Sequence, residues 1–259
     1  MFVAERQRKI VEIVNDRKSI RVSELSGIFS VTEETIRRDL EKLEREDQLS
    51  RSHGGALRKE KVEQNEIPYF EREITNINEK KEIALLAAKQ IKKGDKVILD
   101  ASSTAWYMAK VLKDMPVTVV TNSIRVAMEL STKRQITVIS IGGTLLSKSL
   151  SFVGPLAETS LSNYHVNKAF ISCHSFHLSY GISDSNELQA RIKKKMIECA
   201  KEVYIMVDHT KVGQQAFAYI NSTSVIDNVI TDSKISNTHL KQIKESSLHL
   251  IKGNGESNL

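Results

Sequence analysis

The chain has 259 residues, 40% of them hydrophobic, and 38 Lys and Arg against 32 Asp and Glu give a formal charge of +6. That length suits one large domain or two unequal ones. No apolar run approaches the roughly 20 residues that cross a bilayer, and two cysteines, Cys173 and Cys199, are too few for a disulfide framework and lack metal-ligand spacing. The first residues, Met1-Phe2-Val3-Ala4-Glu5-Arg6, lack the apolar centre of a signal peptide, so a cytoplasmic protein is expected.

In chain order, Ile10, Val11 and Val14 form the stripe of a first helix. Val22, Leu25, Ile28 and Phe29 follow with helical spacing, Ser23 being their candidate cap, and only Ser30 and Val31 separate them from Thr32, which can cap a third helix. Glu33 and Glu34 put negative charge in its first turn, where the helix dipole favours it. Ile36, Leu40 and Leu43 make one apolar stripe and leave Glu34, Thr35, Arg37, Arg38, Glu41 and Lys42 toward solvent. A helix pair with so short a turn has helix-turn-helix geometry, and two adjacent guanidinium groups suit guanine edges and phosphate oxygens.

Alternation through Leu49-Ser50-Arg51-Ser52-His53, broken by Gly54-Gly55, predicts a small hairpin. Arg51, Arg58, Lys59 and Lys61 outweigh Glu60, as a wing lying on a phosphate backbone requires. Residues 1–60 hold 13 basic and 12 acidic residues, so this reading rests on where the arginines sit and not on bulk charge. The candidate DNA contacts are Ser23, Thr32, Glu34, Thr35, Arg37, Arg38 and Lys42 on the helix pair, with Arg51, His53, Gly54 and Gly55 on the wing. The expected division is a winged helix-turn-helix over 3–58 (helix-turn-helix 20–39), a linker over 59–78 with Pro68 and Tyr69-Phe70, a second domain over 79–252 and a polar tail over 253–259.

Within the second domain Asn78 is expected to cap a helix through Ala84, Ala88 and Ile91. Short β runs then alternate with helical or polar segments: Val97–Leu99, Val117–Val120, Ile136–Ile141, Ala169–Ser172, Val203–Val207 and Val225–Thr231. That alternation predicts an α/β fold with a mostly parallel sheet covered by helices. Ligands of such sheets bind beyond the carboxyl ends of the strands. The runs end in Asp100-Ala101-Ser102-Ser103-Thr104, Thr121-Asn122-Ser123, Gly142-Gly143-Thr144 and Asp208-His209-Thr210-Lys211. Hydroxyls, an amide, a lysine and glycines that allow close backbone approach suit the hydroxyls and phosphate of a sugar phosphate.

TIRRDL followed by LSRSHGGAL resembles the winged helix-turn-helix of the DeoR family of bacterial transcriptional regulators, and DASST, VVTNS, IGGTL, SFVGP and DHTK resemble that family's effector domain. The resemblance implies a ribose-5-phosphate-isomerase-like fold for the second domain. It also implies a phosphorylated sugar held by Asp100, Ser102, Ser103, Thr104, Thr121 and Asn122, a rim shaped by Gly142 and Gly143, and positive charge from Lys193 and Lys211, with Asp208 in the same loop. Lys193, Lys194 and Lys195 are consecutive, and which of them faces inward is open. The sequence departs from the family at Glu46-Asp47-Gln48, at His174-Ser175-Phe176-His177 and over 189–195.

The expected function is a DNA-binding regulator, a repressor of a carbohydrate operon modulated by a phosphorylated sugar and acting as a homodimer or homotetramer on a double-stranded operator. No cofactor and no metal is called for. The alternative is a sugar-phosphate isomerase or deaminase using Asp100, Asp208 or Glu187 as base. A metal sensor built on His174, His177 and His209 is a third, weaker reading, because no cysteine cluster or second histidine pair accompanies them.

Overall fold

The computed structural model describes residues 3–17, 19–45, 48–52, 54–57 and 66–255. Glu46, Asp47, His53, Arg58, Lys59, Lys61, the expected linker up to residue 65 and the tail from 256 lie outside them. The chain forms two compact units, Met1–Glu63 and Gln64–Leu259.

In the first unit α1 (Val3–Arg17), β1 (Ser19–Arg21), α2 (Val22–Phe29), α3 (Glu33–Arg45), β2 (Ser50–Ser52) and β3 (Gly55–Leu57) follow one another. Ile10, Val14, Leu25, Ile36, Leu40 and Leu43 are buried together, as their spacing requires. The wing is an antiparallel sheet in the order β1-β3-β2, because Ser19–Arg21 adds a strand that the hairpin pattern did not reveal. Ser23 does not cap α2: the helix starts one residue earlier, and the Val22 N–H donates to the Gly54 carbonyl of the wing at 2.9 Å. Ile28 is exposed although it shares that spacing.

Ser30 takes φ 52°, and its left-handed turn is closed by the Ser26 hydroxyl donating to the Val31 carbonyl. Thr32 caps α3 by accepting the Thr35 N–H at 3.3 Å. Thr32→Ala is therefore expected to lower the first unit's stability by about 1 kcal/mol, read as a fall in its thermal midpoint. One charged residue stands inside the stripe: Asp39 is buried, with Arg6 Nε at 2.6 Å and Gln7 Nε2 at 2.8 Å, and so ties α3 to α1.

The second unit opens with α4 (Tyr69–Ile74) and α5 (Ile77–Ala88). Residues 66–78 are thus part of this unit and not a linker, because Tyr69 is fully buried and its N–H donates to the Lys148 carbonyl. Asn78 lies inside α5. Asn76 precedes the helix at φ 50° and turns its amide toward Asp208 and Thr210.

There follow β4 (Lys96–Leu99), α6 (Ser103–Val111), β5 (Val117–Thr121), α7 (Ile124–Leu130), β6 (Ile136–Ser140), β7 (Thr144–Leu146), β8 (Ser151–Val153) and α8 (Pro155–Leu161). The chain continues through β9 (Val166–Ser172), β10 (Ser175–His177), β11 (Gly181–Asp184), α9 (Glu187–Glu198), β12 (Ala200–Met206), β13 (Ala218–Asn221), β14 (Asn228–Thr231), α10 (Asn237–Lys244) and β15 (His249–Lys252).

Among the described residues seven strands pair in parallel, in the order β15-β14-β12-β9-β4-β5-β6. Alternate residues face opposite layers. Ile98, Ala169, Ile171, Ile205 and Val229 pack with α8 and α9, whereas Val97, Leu99, Phe170, Tyr204 and Ile230 pack with α5 and α6. Strand order reverses between β4 and β9, so the loops leaving these neighbours diverge and open a crevice, the place where such sheets bind ligands. A smaller antiparallel sheet, β10-β11-β13, stands at this end.

Candidate functional site

On α3 the side chains of Arg37 and Arg38 are 53% and 77% exposed, each paired among the described residues with the glutamate one turn earlier: Glu33 at 2.7 Å and Glu34 at 3.3 Å. Such exposed pairs are worth a few tenths of a kcal/mol and open readily toward a phosphate. Thr32, Glu34, Lys42, Ser23, Arg51 and Gly54 are exposed and Thr35 half-buried. Gly55 is the exception in the expected set. It is buried, and a Cβ there would meet the Ile20 carbonyl oxygen at 2.2 Å, so it is needed for the close approach of β3 to β1.

In the second unit a cavity of about 430 Å³ opens at the strand-order reversal. Its base is Ala101, Ser102, Ser103 and Thr104 after β4, Ser172 at the end of β9 with Cys173 and His174 beyond it, and Asp208, Thr210 and Lys211 after β12. Asp184 of β11, Gln189 and Lys193 of α9 form one side; Glu66, Arg72, Asn76 and Lys80 form the roof.

The Ser102 hydroxyl caps α6 by accepting the Ala105 N–H and donates to Asp100 at 2.6 Å. This leaves the first N–H groups of a nine-residue helix beside the cavity, a favourable place for an anion. Asp100 is fully buried and also accepts the Ser172 N–H, so it fastens the β4 loop to the β9 loop.

Lys193 resolves the lysine run. It is buried, with Nζ 2.6 Å from Asp184 and 3.7 Å from Asp100, while Lys194 is exposed and Lys195 pairs with Glu198. Burial pushes the Asp184 carboxyl up, but the Lys193 charge and hydrogen bond more than offset this and hold it below the usual aspartate range. Burial likewise pulls Lys193 down, and the two aspartates lift it above an ordinary lysine.

Lys211 Nζ donates to the Cys173 carbonyl at 3.1 Å and sits 3.7 Å from Asp208. Burial raises the Asp208 carboxyl; the Lys211 charge and the Thr210 hydrogen bonds bring it below its ordinary value. Lys80 is buried within the roof and donates to the carbonyls of Arg72 and Thr75. Burial, with the nearby Lys211 charge, lowers its pKa to about 8.

Asp100, Ser102, Ser103, Thr104, Lys193, Asp208 and Lys211 thus meet at one place. Thr121, Asn122, Gly142 and Gly143 are outside the cavity lining, on strand ends to one side of the reversal. Thr121 accepts the Ser123 N–H, Asn122 donates to the Phe152 carbonyl, and a Cβ on Gly143 would meet the Val153 carbonyl oxygen at 2.7 Å. They shape the β7–β8 hairpin and its packing.

Arg72, Lys80, Asp184, Gln189 and Glu66 were missed. Two of them carried a signal: Lys80 falls in register with Ile83, Ala84 and Ala87, and Gln189 with Ile192, Lys193 and Met196, polar groups inside apolar stripes. The three histidines are separated. His174 lines the cavity, where burial lowers its pKa; His177 accepts the N–H groups of Ser179 and Tyr180; His209 pairs with Asp232 at 3.0 Å. Glu187 is exposed and not part of the lining.

Two family models match: a DeoR-like helix-turn-helix domain over residues 6–62 and a DeoR C terminal sensor domain over 75–233. An uncharacterised HTH-type transcriptional regulator, YulB of Bacillus subtilis, is 60% identical across 95% of both chains. The HTH-type transcriptional repressor GlcR of the same organism is 37% identical over 90% of this chain and 89% of its own. An L-fucose operon activator of Haemophilus influenzae is 32% identical over 95% and 98%. Among solved structures, ribose 5-phosphate isomerase A of Methanocaldococcus jannaschii aligns with a TM-score of 0.40 and 18% identity over 53% of this chain and 55% of that one. The helix-turn-helix match and the sensor-domain match fall in order on the two compact units, and with them the chain belongs to the DeoR family of transcriptional regulators.

Proposed function

We propose that the chain represses a carbohydrate-catabolic operon, binding a double-stranded operator as a homodimer or homotetramer, and that a phosphorylated sugar in the second unit's cavity changes that binding. The observation that carries this reading is the convergence of Arg72, Lys80, Lys193 and Lys211 on one polar cavity beside the Ser102-Ser103-Thr104 helix start. Cations and helix N–H groups suit the phosphate, while Asp184, Gln189 and His174 suit hydroxyls. The relatives include a transcriptional repressor and an L-fucose operon activator; repression is the simpler coupling, because its release needs only that the effector favour the arrangement that does not fit DNA. A two-fold oligomer would require paired half-sites about one helical turn apart.

The test is a thermal-shift comparison of sugars with their monophosphates. A specific monophosphate at one hundred times its Kd is expected to stabilise the protein by about 2.7 kcal/mol. Equal stabilisation by the unphosphorylated sugar would remove the phosphate from the reading. The effect should also depend on pH. Lys80 titrates at about 8 under burial and the Lys211 charge, with Asp208, Arg72 and Glu79 also facing it. A bound anion favours the protonated amine, so affinity should be full between about pH 7, where the monophosphate is still doubly charged, and that value, and fall by up to about tenfold per pH unit above it.

A further inference from the structure

The cavity already contains a carboxylate supplied by the chain itself. Glu66 is 7% exposed, three residues beyond the point where the first unit ends at Glu63. Its Oε1 is 3.5 Å from Nη2 of Arg72, an atom that is buried and otherwise without a hydrogen-bond partner among the described residues. Burial raises the Glu66 carboxyl above the ordinary glutamate range, against the opposing charges of Arg72 and Lys193. The carboxylate therefore occupies cationic ground at a desolvation cost, which a doubly charged ligand able to engage more of the cavity's cations would outweigh.

The same stretch of chain makes the roof. Tyr69 N–H holds it to Lys148, Ser103 Oγ and Lys80 Nζ donate to the Arg72 carbonyl, and Glu73 pairs with Arg125 at 3.0 Å. Displacement of Glu66 would thus act on α4 and on the covalent exit toward the DNA-binding unit together. We propose that Glu66 is a built-in competitor for the effector's anionic group: it latches the roof onto the cavity when no effector is present and is expelled from Arg72 when the anion binds. This rests on the reading of the cavity as an anion site, and it assigns to Glu66 the setting of the effector threshold.

Two readouts on the full-length protein test it, with inorganic phosphate as the probe. Removing the carboxylate in E66Q, and independently in E66A, removes a competitor and a repulsive charge, so phosphate should bind more tightly by on the order of tenfold. Trp106, the chain's one tryptophan, reports the roof, because its ring is 4.8 Å from the Arg125 guanidinium that holds Glu73 of α4. Emission of ligand-free E66Q should move toward that of phosphate-saturated wild type. Phosphate binding by the wild type with equal or weaker binding by both variants overturns the latch alone and makes Glu66 a wall or a sugar contact. Unchanged Trp106 emission in E66Q overturns it too, while failure of all three proteins to bind phosphate overturns the anion reading of the cavity and the latch with it.

Discussion

Replacing Arg37 and Arg38 together by alanine is expected to reduce operator affinity by about thirty-fold to twenty-thousand-fold, taking about 1–3 kcal/mol for each good guanidinium contact to a base. The folded state should barely notice. Both side chains project from α3 into solvent, and their i,i+4 partners Glu33 and Glu34 are themselves exposed, so each lost pair costs about 0.3–0.5 kcal/mol. Three measurements separate the roles. Mobility-shift titration should show the loss, thermal unfolding should stay nearly unchanged, and binding of a monophosphate to the second unit should be wild type. The salt dependence adds detail: an arginine that meets only phosphate removes about 0.9 from the slope of log K against log salt, whereas one that reads a base relaxes sequence preference. Wild-type operator affinity in the double variant would show that α3 does not enter the groove by this face.

This part of the molecule was the most legible, for a physical reason. A helix in a small unit must bury a stripe, so Ile36, Leu40 and Leu43 fix its orientation and with it the exposure of Arg37 and Arg38. Strand positions in the second unit were equally readable from β-branched runs, and the reversal that makes the cavity follows from strand order, which no single run encodes. The sequence reading failed where a loop end has two possible uses. Asp100 and Asn122 both follow a parallel strand with small polar neighbours, yet only the first flanks the reversal. The roof was missed because Arg72 and Lys80 lie on helices before the first sheet strand, far in sequence from Lys193 and Lys211, and only folding brings them to one cavity.

The second large effect is expected at Lys193. Lys193→Met keeps the length of the side chain and removes its charge, leaving Asp184 and Asp100 buried near one another without a counter-ion. Breaking a buried pair in this way typically costs about 3–5 kcal/mol. The urea midpoint of the second unit should fall accordingly, and monophosphate binding should be lost. The pH dependence identifies the cause. In the wild type Asp184 is held below its ordinary value, so its contribution is present above about pH 4 and lost as pH falls further; Lys193 is held above its ordinary value, so its contribution is lost only at strongly alkaline pH. In the variant the Lys193 charge and hydrogen bond no longer oppose the upward push of burial on Asp184, and only the weaker contributions of the Ser185 N–H and His174 remain against it. Its ionisation then weakens the fold at neutral pH, and acidification should narrow the gap between variant and wild type. D184N in the same chain should recover part of the loss; a gap that is constant from pH 7 to 4.5 would point to packing instead of charge.

The roof's membership in the second unit has a practical consequence for dissecting the protein. A recombinant fragment beginning at residue 64 includes Tyr69, Arg72, Asn76 and Lys80, and is therefore expected to keep the roof above the strand ends and to bind a monophosphate as the full-length protein does, read by titration without the winged module. A fragment cut at residue 79, where the sequence alone places the domain start, would keep Lys80 but strip away the other three and uncover the apolar site beneath Tyr69. Ligand-binding failure in such a shortened piece would say nothing about the intact regulator.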